Sequence, residues 1–464
     1  MTAPRIIVVG AGPAGIRAAQ TLVEAGVRPV VIDEGEASGG QIYRRQPNGF
    51  KRDFRQLYGT EHRRARDLHE TFDALREKMD YRPRTLAWNL SEGALHIVHN
   101  GISNAVPFDG MILATGATDR LLPVRGWTTP GVYSLGASQI ALKAQACAIG
   151  RRVVFIGTGP LLYLVATQYL KAGAEVAAVL DTSAFGHRLA ALPLLLARPD
   201  ALAKGLALIA QLRLAGITML TGIRPIAIEA GADRNVARVH VRDARGRDRN
   251  FMCDAVAMGY HLRPETQLAD LARCDFSFDP ATHLWSPMTD AMGRTSVRGI
   301  YVAGDGVKIS GADAAEIAGR LAAHAAIADL HSAHPAGRGA EGSVKKLLTS
   351  HRRMDRFRRG LAKGFPWPAH LAEALPDDTI LCRCESVTVG SLRMAATALG
   401  APEVNRAKAF VRVGMGRCQG RFCGPASAEI LAAVLGKSTD GVGRLRGQAP
   451  VKPLPIATVP EDAS

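Results

Sequence analysis

Four of the seven cysteines of this 464-residue chain fall near its C-terminal end. Cys382 and Cys384 sit in Leu-Cys-Arg-Cys-Glu, and Cys418 and Cys423 sit in Cys-Gln-Gly-Arg-Phe-Cys-Gly-Pro. Two close pairs separated by a helical excursion can deliver four thiolates to one metal site. Zinc and iron–sulfur clusters both take four cysteines. Structural zinc pairs usually leave two to four residues between ligands, so the single residue inside Cys382-Arg383-Cys384 favours a [2Fe–2S] cluster, with zinc or free thiols as the alternatives. Arg383, Arg412, Arg417 and Arg421 crowd the same loops, either to offset a cluster's negative charge or simply solvated. Cys147, Cys253 and Cys274 are far apart and are expected to be small buried hydrophobes.

A second chemistry is carried by glycine. Gly10-Ala11-Gly12-Pro13-Ala14-Gly15 follows the apolar run 5–9 and precedes an Ala-rich helical stretch, and a second apolar run, Pro29-Val30-Val31-Ile32, ends at Asp33-Glu34. Strand, glycine turn, helix, strand and acid in one short unit is the context in which a GxGxxG match carries weight. The glycines let the backbone approach a pyrophosphate, the helix N-terminus offers N–H donors, and the acid accepts from ribose hydroxyls. The pattern returns as Val153-Val154-Phe155-Ile156, Gly157-Thr158-Gly159-Pro160-Leu161-Leu162, a helical stretch and a strand ending at Asp181. Setting Gly10 on Gly157 and Gly26 on Gly173 puts Glu34 on Asp181. On that register Glu34 is the expected ribose ligand, with Asp33 second. Leu162 replaces the third glycine and should hold helix and strand further apart, which leaves the second turn either a working site for NAD or another adenine nucleotide, or a vestigial one. An acid such as Asp181 favours NAD over NADP.

Two more strand-to-loop segments, 108–117 and 298–306, flank the second copy, and at this point the chain resembles the flavoprotein superfamily with two dinucleotide-binding domains. The resemblance implies FAD on the first turn, NAD(P)H on the inserted copy, and a late Gly304-Asp305 segment that returns to the flavin ribitol or pyrophosphate. Gly39-Gly40 with Gln41, and Ala114-Thr115-Gly116, match the family's FAD-side turns. The expected fold class is therefore α/β: two Rossmann-like domains, the second inserted in the first, plus a small α-rich [2Fe–2S] domain. The expected division is 1–124 with 260–330, 125–259, a basic linker and helix at 331–374, the cluster domain at 375–446, and a disordered tail at 447–464. No thiol pair follows Gly40 or lies in the second copy, so this is not a dithiol reductase.

Cys-x-Cys-Glu, Met415-Gly416-Arg417-Cys418-Gln419-Gly420 and Phe422-Cys423-Gly424-Pro425 resemble the bacterioferritin-associated-ferredoxin-like [2Fe–2S] module. With Gly126-Trp127-Thr128-Thr129-Pro130-Gly131-Val132, the run 157–166 and Val179-Leu180-Asp181-Thr182-Ser183, nearly the whole chain resembles the alpha subunits of heteromeric FAD-dependent opine and D-hydroxyproline dehydrogenases. Hydrogen cyanide synthase and sarcosine oxidase subunits are related. The resemblance implies a flavin-containing beta subunit of amine-oxidase fold that oxidises the C–N bond, sometimes a small gamma subunit, and onward electron transfer to a quinone or another respiratory acceptor. Two other readings stand beside it: a self-sufficient NAD(P)H reductase, and a scaffolding subunit with structural nucleotide sites. No catalytic base is identifiable.

Composition agrees with a globular protein, at 47% hydrophobic and 22% charged residues. The 5% aromatic content argues against a single-stranded nucleic-acid binder. The N-terminus carries no apolar leader segment, so a cytoplasmic location is expected. The net charge of +16 suits an anionic partner. A basic amphipathic stretch, 345–363, can lie on an anionic membrane surface or an acidic partner, or pack on its own protein.

Overall fold

The computed structural model describes residues 4–47, 49–50, 52–330, 341–455 and 459–460. Two parallel five-stranded sheets organise it. In the first, Ile6–Val9 lies at the centre between Gly110–Leu113 and Val30–Ile32, with Ile300–Val302 and Asp80–Arg82 outside them. Apart from the edge strand Asp80–Arg82, these short runs are apolar because helices and loops cover both faces of the sheet. The second orders Met219–Thr221, Glu175–Asp181, Arg152–Thr158, Ala255–Tyr260 and Val132–Ser134. Its strands all fall between those supplied to the first sheet by Gly110–Leu113 and by Ile300–Val302, so the second unit is inserted in the first.

Helix Pro13–Glu24 packs on the long Ala-rich helix Ala312–Leu330, where Gly319 has no room for a Cβ against the Ala14 carbonyl. The basic stretch forms the helix Glu341–Gly364, and its apolar side packs on the protein itself. Gly360 and Gly364 lie against Leu194, Leu195 and Ala191 of the helix Phe185–Leu195. Arg353 Nε donates to the Ala197 carbonyl at 2.6 Å. Its lysines and most of its arginines point outward.

The C-terminal unit holds a short hairpin, Ile380–Cys382 with Val387–Thr388, and the helices Val389–Thr397, Val404–Val411 and Gly424–Leu435. Its core is continuous with one face of the second sheet through Trp127, Trp367 and Leu371. The expected disordered tail is corrected for 447–455: Val451 is buried, its N–H donates to the Trp88 carbonyl at 3.0 Å, and its carbonyl accepts from Arg421. Residues 456–458 and 461–464 of that tail, and 331–340 of the linker, lie outside the described residues. Cys253 and Cys274 are buried as expected, whereas Cys147 is exposed.

Candidate functional site

At the first glycine turn, the segments singled out from sequence converge. A Cβ on Gly10 would lie 2.3 Å from the Ala114 carbonyl oxygen, one on Gly40 would lie 2.9 Å from Gly12 Cα, and one on Gly304 would lie 2.8 Å from Ala14 Cβ. Gly15 has no room either, with the Gly10 carbonyl 1.8 Å from its Cβ position. Pro13 opens the helix, where its missing N–H costs nothing. Thr115 Oγ1 donates to the Glu265 carbonyl at 2.6 Å, and the Glu265 N–H returns to the Gly116 carbonyl. Asp305 Oδ1 accepts from the Ser310 and Gly311 N–H groups at 2.9 and 3.3 Å, and burial raises its pKa. Gln41 stands at the exposed edge and binds Arg44 at 2.7 Å.

The acid at the end of the second strand corrects the sequence register. Ile7 pairs with Val30 and Val9 with Ile32, so the next residues in register are Gly10 and Asp33. In the second copy Gly157 pairs with Asp181. Asp33 is therefore the counterpart of Asp181, and Glu34 is not. The cause is a bulge: Val153 pairs with Val176 but Val154 with Ala178, so Ala177 is an extra residue in the second copy. Asp33 Oδ2 accepts from the Ala11 N–H at 2.5 Å and Oδ1 from the Gly35 N–H at 2.6 Å; burial raises its pKa against both bonds. Glu34 is half-exposed and ion-paired with Lys452.

The second turn is built alike but closed by the chain's own side chains. Asp181 is fully buried and accepts from Tyr163 Oη at 2.8 Å, Arg188 Nη2 at 2.7 Å and the Ser183 N–H at 2.7 Å. Arg188 in turn lies over the Tyr163 and Phe365 rings. A Cβ on Gly159 would meet the His261 ring at 3.0 Å, and His261 Nε2 is bound to the Phe365 carbonyl at 2.5 Å. The expected adenine-ribose acceptor is thus already satisfied by protein donors. Leu162 is fully buried in the core, at the position where Gly15 of the first turn allows no side chain.

The four clustered cysteines line one shallow recess with Trp127, Leu381, Arg383 and Phe422. Cys382 is hydrogen-bonded with Cys423, and Cys384 with Cys418. The Cys423 thiol and the N–H groups of Gly414, Glu385 and Cys384 draw Cys382 down to about 6 against the effect of burial. Its partner Cys423 is pushed up by that same bond and by burial. Among the described residues no three His, Cys, Asp or Glu groups are placed to hold a single ion. Two thiol pairs facing a shared space, with backbone donors on sulfur, fit a two-iron cluster better than one tetrahedral zinc.

Sequence reasoning missed what joins the cluster unit to the rest. Trp127 Nε1 donates to the Ile380 carbonyl at 2.6 Å, and Arg383 lies over the Trp127 and Phe422 rings. Arg421 is not solvated. Its fork holds Glu265 at 2.5 and 3.0 Å, and it also donates to the Val451 carbonyl at 2.7 Å. Burial opposes the ionisation of Glu265, but Arg421 prevails and lowers its pKa. Arg412 pairs with Glu385 at the surface, and Arg417 is exposed. Lys143, 4% exposed, reaches the Ile42 carbonyl at 3.1 Å beside the Gly40-Gln41 turn, and burial lowers its pKa to about 8. The sequence marked Arg421 only as one of four arginines beside the cysteines, without its partner Glu265, and Lys143 lies in no pattern that marks it.

Comparison with known proteins agrees with this geometry. Residues 4–329 match the pyridine nucleotide-disulphide oxidoreductase family, and residues 380–433 match the BFD-like [2Fe–2S] binding domain. The A subunit of an opine oxidase from Agrobacterium tumefaciens (strain Ach5) is 38% identical over 97% of this chain and 90% of that relative. The chain belongs to the family of opine oxidase A subunits. Hydrogen cyanide synthase subunit HcnB from Pseudomonas aeruginosa is 31% identical over 98% of this chain and 97% of its own. The fold is shared with an L-proline dehydrogenase from P. horikoshii at a TM-score of 0.71 and 18% identity, over 99% of this chain and 79% of that one. The chain is thus part of a flavin and iron–sulfur oxidoreductase, with FAD implied by the first match and a [2Fe–2S] cluster by the second.

Proposed function

We propose that this chain is the electron-transferring subunit of a heteromeric dehydrogenase that oxidises the C–N bond of an opine, D-hydroxyproline or a related secondary amine. The oxidation takes place on a partner subunit of amine-oxidase fold with its own flavin, and the acceptor is a quinone or another respiratory component. The observation that carries this reading is the closed second turn. With Asp181 fully buried and held by Tyr163, Arg188 and Ser183, its carboxylate is not open to an NADH ribose, so reducing equivalents come from another chain. Relatives named as enzyme subunits support a partner. A cytoplasmic location goes with this reading; among the described residues no helix is long and apolar enough to cross a membrane.

When bound, FAD supplies two-electron acceptance and the [2Fe–2S] cluster a one-electron exit. In this assignment Gly12, Ala14 and Gly15 would offer backbone N–H groups to the FAD pyrophosphate, Gly10 and Pro13 would shape the turn, the Gly10 N–H being held by the Ile32 carbonyl, and Asp33 would accept from the ribose. Gly40, Gln41, Thr115, Gly116, Gly304 and Asp305 close around the flavin side. Cys382, Cys384, Cys418 and Cys423 hold the cluster. Gly157, Gly159, Pro160 and Asp181 seat the chain's own His261, Phe365 and Arg188 rather than a dinucleotide. The division at 1–124 with 260–330, 125–259, 331–374 and 375–446 follows the same reading.

The test is an anaerobic titration of the purified chain, loaded with both cofactors, with NADH. Unchanged flavin and cluster bands are expected. The copurified complex should bleach on adding an opine such as octopine or nopaline. Rapid bleaching of the isolated chain by NADH would overturn the reading in favour of a self-sufficient reductase.

A further inference from the structure

The helix Pro199–Leu214 buries Leu212 and partly buries Leu202, Leu208 and Ile209, yet leaves Leu206 and Leu214 exposed. The preceding helix, Phe185–Leu195, buries Ala191 and Leu195. Phe185, Leu189, Leu192 and the following Leu196 point outward at helical spacing, forming one stripe. On the next helix Leu206 and Leu214 are exposed as well, Leu214 at 89%. Single exposed leucines need no explanation, but six large apolar side chains on two consecutive helices mark an interaction surface.

The rim of this surface says what fits it. The basic helix Glu341–Gly364 packs beside Phe185–Leu195 and exposes Lys345, Lys346, Arg352, Arg356 and Arg359. A second copy of this chain would bring the same cations against each other, which like-charge repulsion disfavours. An apolar centre with a charged rim is the anatomy of a stable subunit interface, and obligate interfaces are the more hydrophobic ones. We infer that the Phe185–Leu214 face docks the second, non-identical subunit of the enzyme, through an apolar patch on that subunit bordered by acidic side chains. The inference rests on the heteromeric reading above and adds the surface and the chemistry of its partner.

The test places the photo-crosslinker benzoylphenylalanine at Leu192, at Leu206 and, as a control, at exposed Met252 on the antiparallel sheet. Each tagged full-length variant is expressed in the cells that make the protein. Before irradiation, a stoichiometric flavin-containing second subunit must copurify; its absence would overturn the heteromeric reading and this inference together. With that complex in hand, irradiation is expected to join positions 192 and 206 to the copurifying chain at least ten-fold more efficiently than position 252. An intact complex with no such adduct, an adduct between two copies of this chain, or an adduct to phospholipid would overturn the docking surface alone. The double variant Leu192→Glu with Leu206→Glu should lose at least ten-fold of the copurifying subunit while keeping wild-type flavin and cluster absorption per chain. Retention of the partner by that variant would also refute the assignment.

Discussion

Replacing Asp33 and Glu34 one at a time separates the two registers of the first dinucleotide unit. The Asp33 carboxylate spends one lone pair of each oxygen on the Ala11 and Gly35 N–H groups, which leaves one on each for the ribose hydroxyls. A hydrogen bond to a charged acceptor contributes about 1.5–3 kcal/mol, so losing two removes roughly 3 kcal/mol or more. At about 1.4 kcal/mol per tenfold, Asp33→Ala should bind FAD about 100-fold more weakly. Glu34 is half-exposed and pairs with Lys452 at the surface, and such pairs are worth about 0–1 kcal/mol. Glu34→Ala should therefore keep its FAD affinity within about threefold, since that carboxylate has no part in the turn. The assay is fluorescence titration of deflavinated protein with FAD, with far-ultraviolet circular dichroism to show that each variant is folded. Full flavin retention by Asp33→Ala together with loss in Glu34→Ala would refute the register and the bulge argument behind it.

Removing one partner of the buried Arg421–Glu265 fork should be severe: Glu265→Gln is expected to cost about 3–5 kcal/mol in urea unfolding followed at the cluster band, and a double-mutant cycle with Arg421→Met should be strongly non-additive. Because the Glu265 pKa is lowered in the folded chain, its contribution is fully present above the unfolded value of about 4.3 and is lost as pH falls through the folded value. Acid titration should accordingly destabilise the cluster band only below about pH 4.3, and Glu265→Gln should abolish that pH dependence; an unchanged acid profile would count against the fork. Cys384→Ser and Cys418→Ser should each remove the cluster's visible absorption and leave flavin content intact, and metal analysis of the wild type should find about two irons per chain. Zinc without iron would reverse that assignment. Arg188→Ala should remove one of the two donors on Asp181 Oδ2 and the side chain that covers it, and detectable NADH binding by calorimetry in this variant, absent in the wild type, is the expected result.

Much of the site was legible in the residues because its causes are local. Glycine turns between apolar runs, a proline at a helix start and cysteines at short spacing impose their geometry on a few neighbours, and both glycine units and all four cysteines stand where they were expected. The basic stretch was legible as an amphipathic helix, but not which of its three companions it would choose. The tail was misread at 447–455 because few large apolar residues mark it, and only Trp88 and Arg421, far off in the chain, tie Val451 down.

The sequence by itself determined the fold class, the repeat of two dinucleotide units and the cluster module, since periodicity and turn chemistry act over a few residues. Tertiary structure alone decided three things. The bulge at Ala177 moved the acid register by one residue, because strand pairing counts hydrogen bonds and not sequence spacing. Arg188, His261 and Phe365, brought from three separate segments, closed the second turn: Arg188 pairs with the buried Asp181, and His261, bonded to the Phe365 carbonyl, lies against Gly159. The helices Phe185–Leu195 and Pro199–Leu214 left Leu189, Leu192, Leu206 and Leu214 outside, because apolar composition says only that such side chains favour cover, and the folded chain does not supply it.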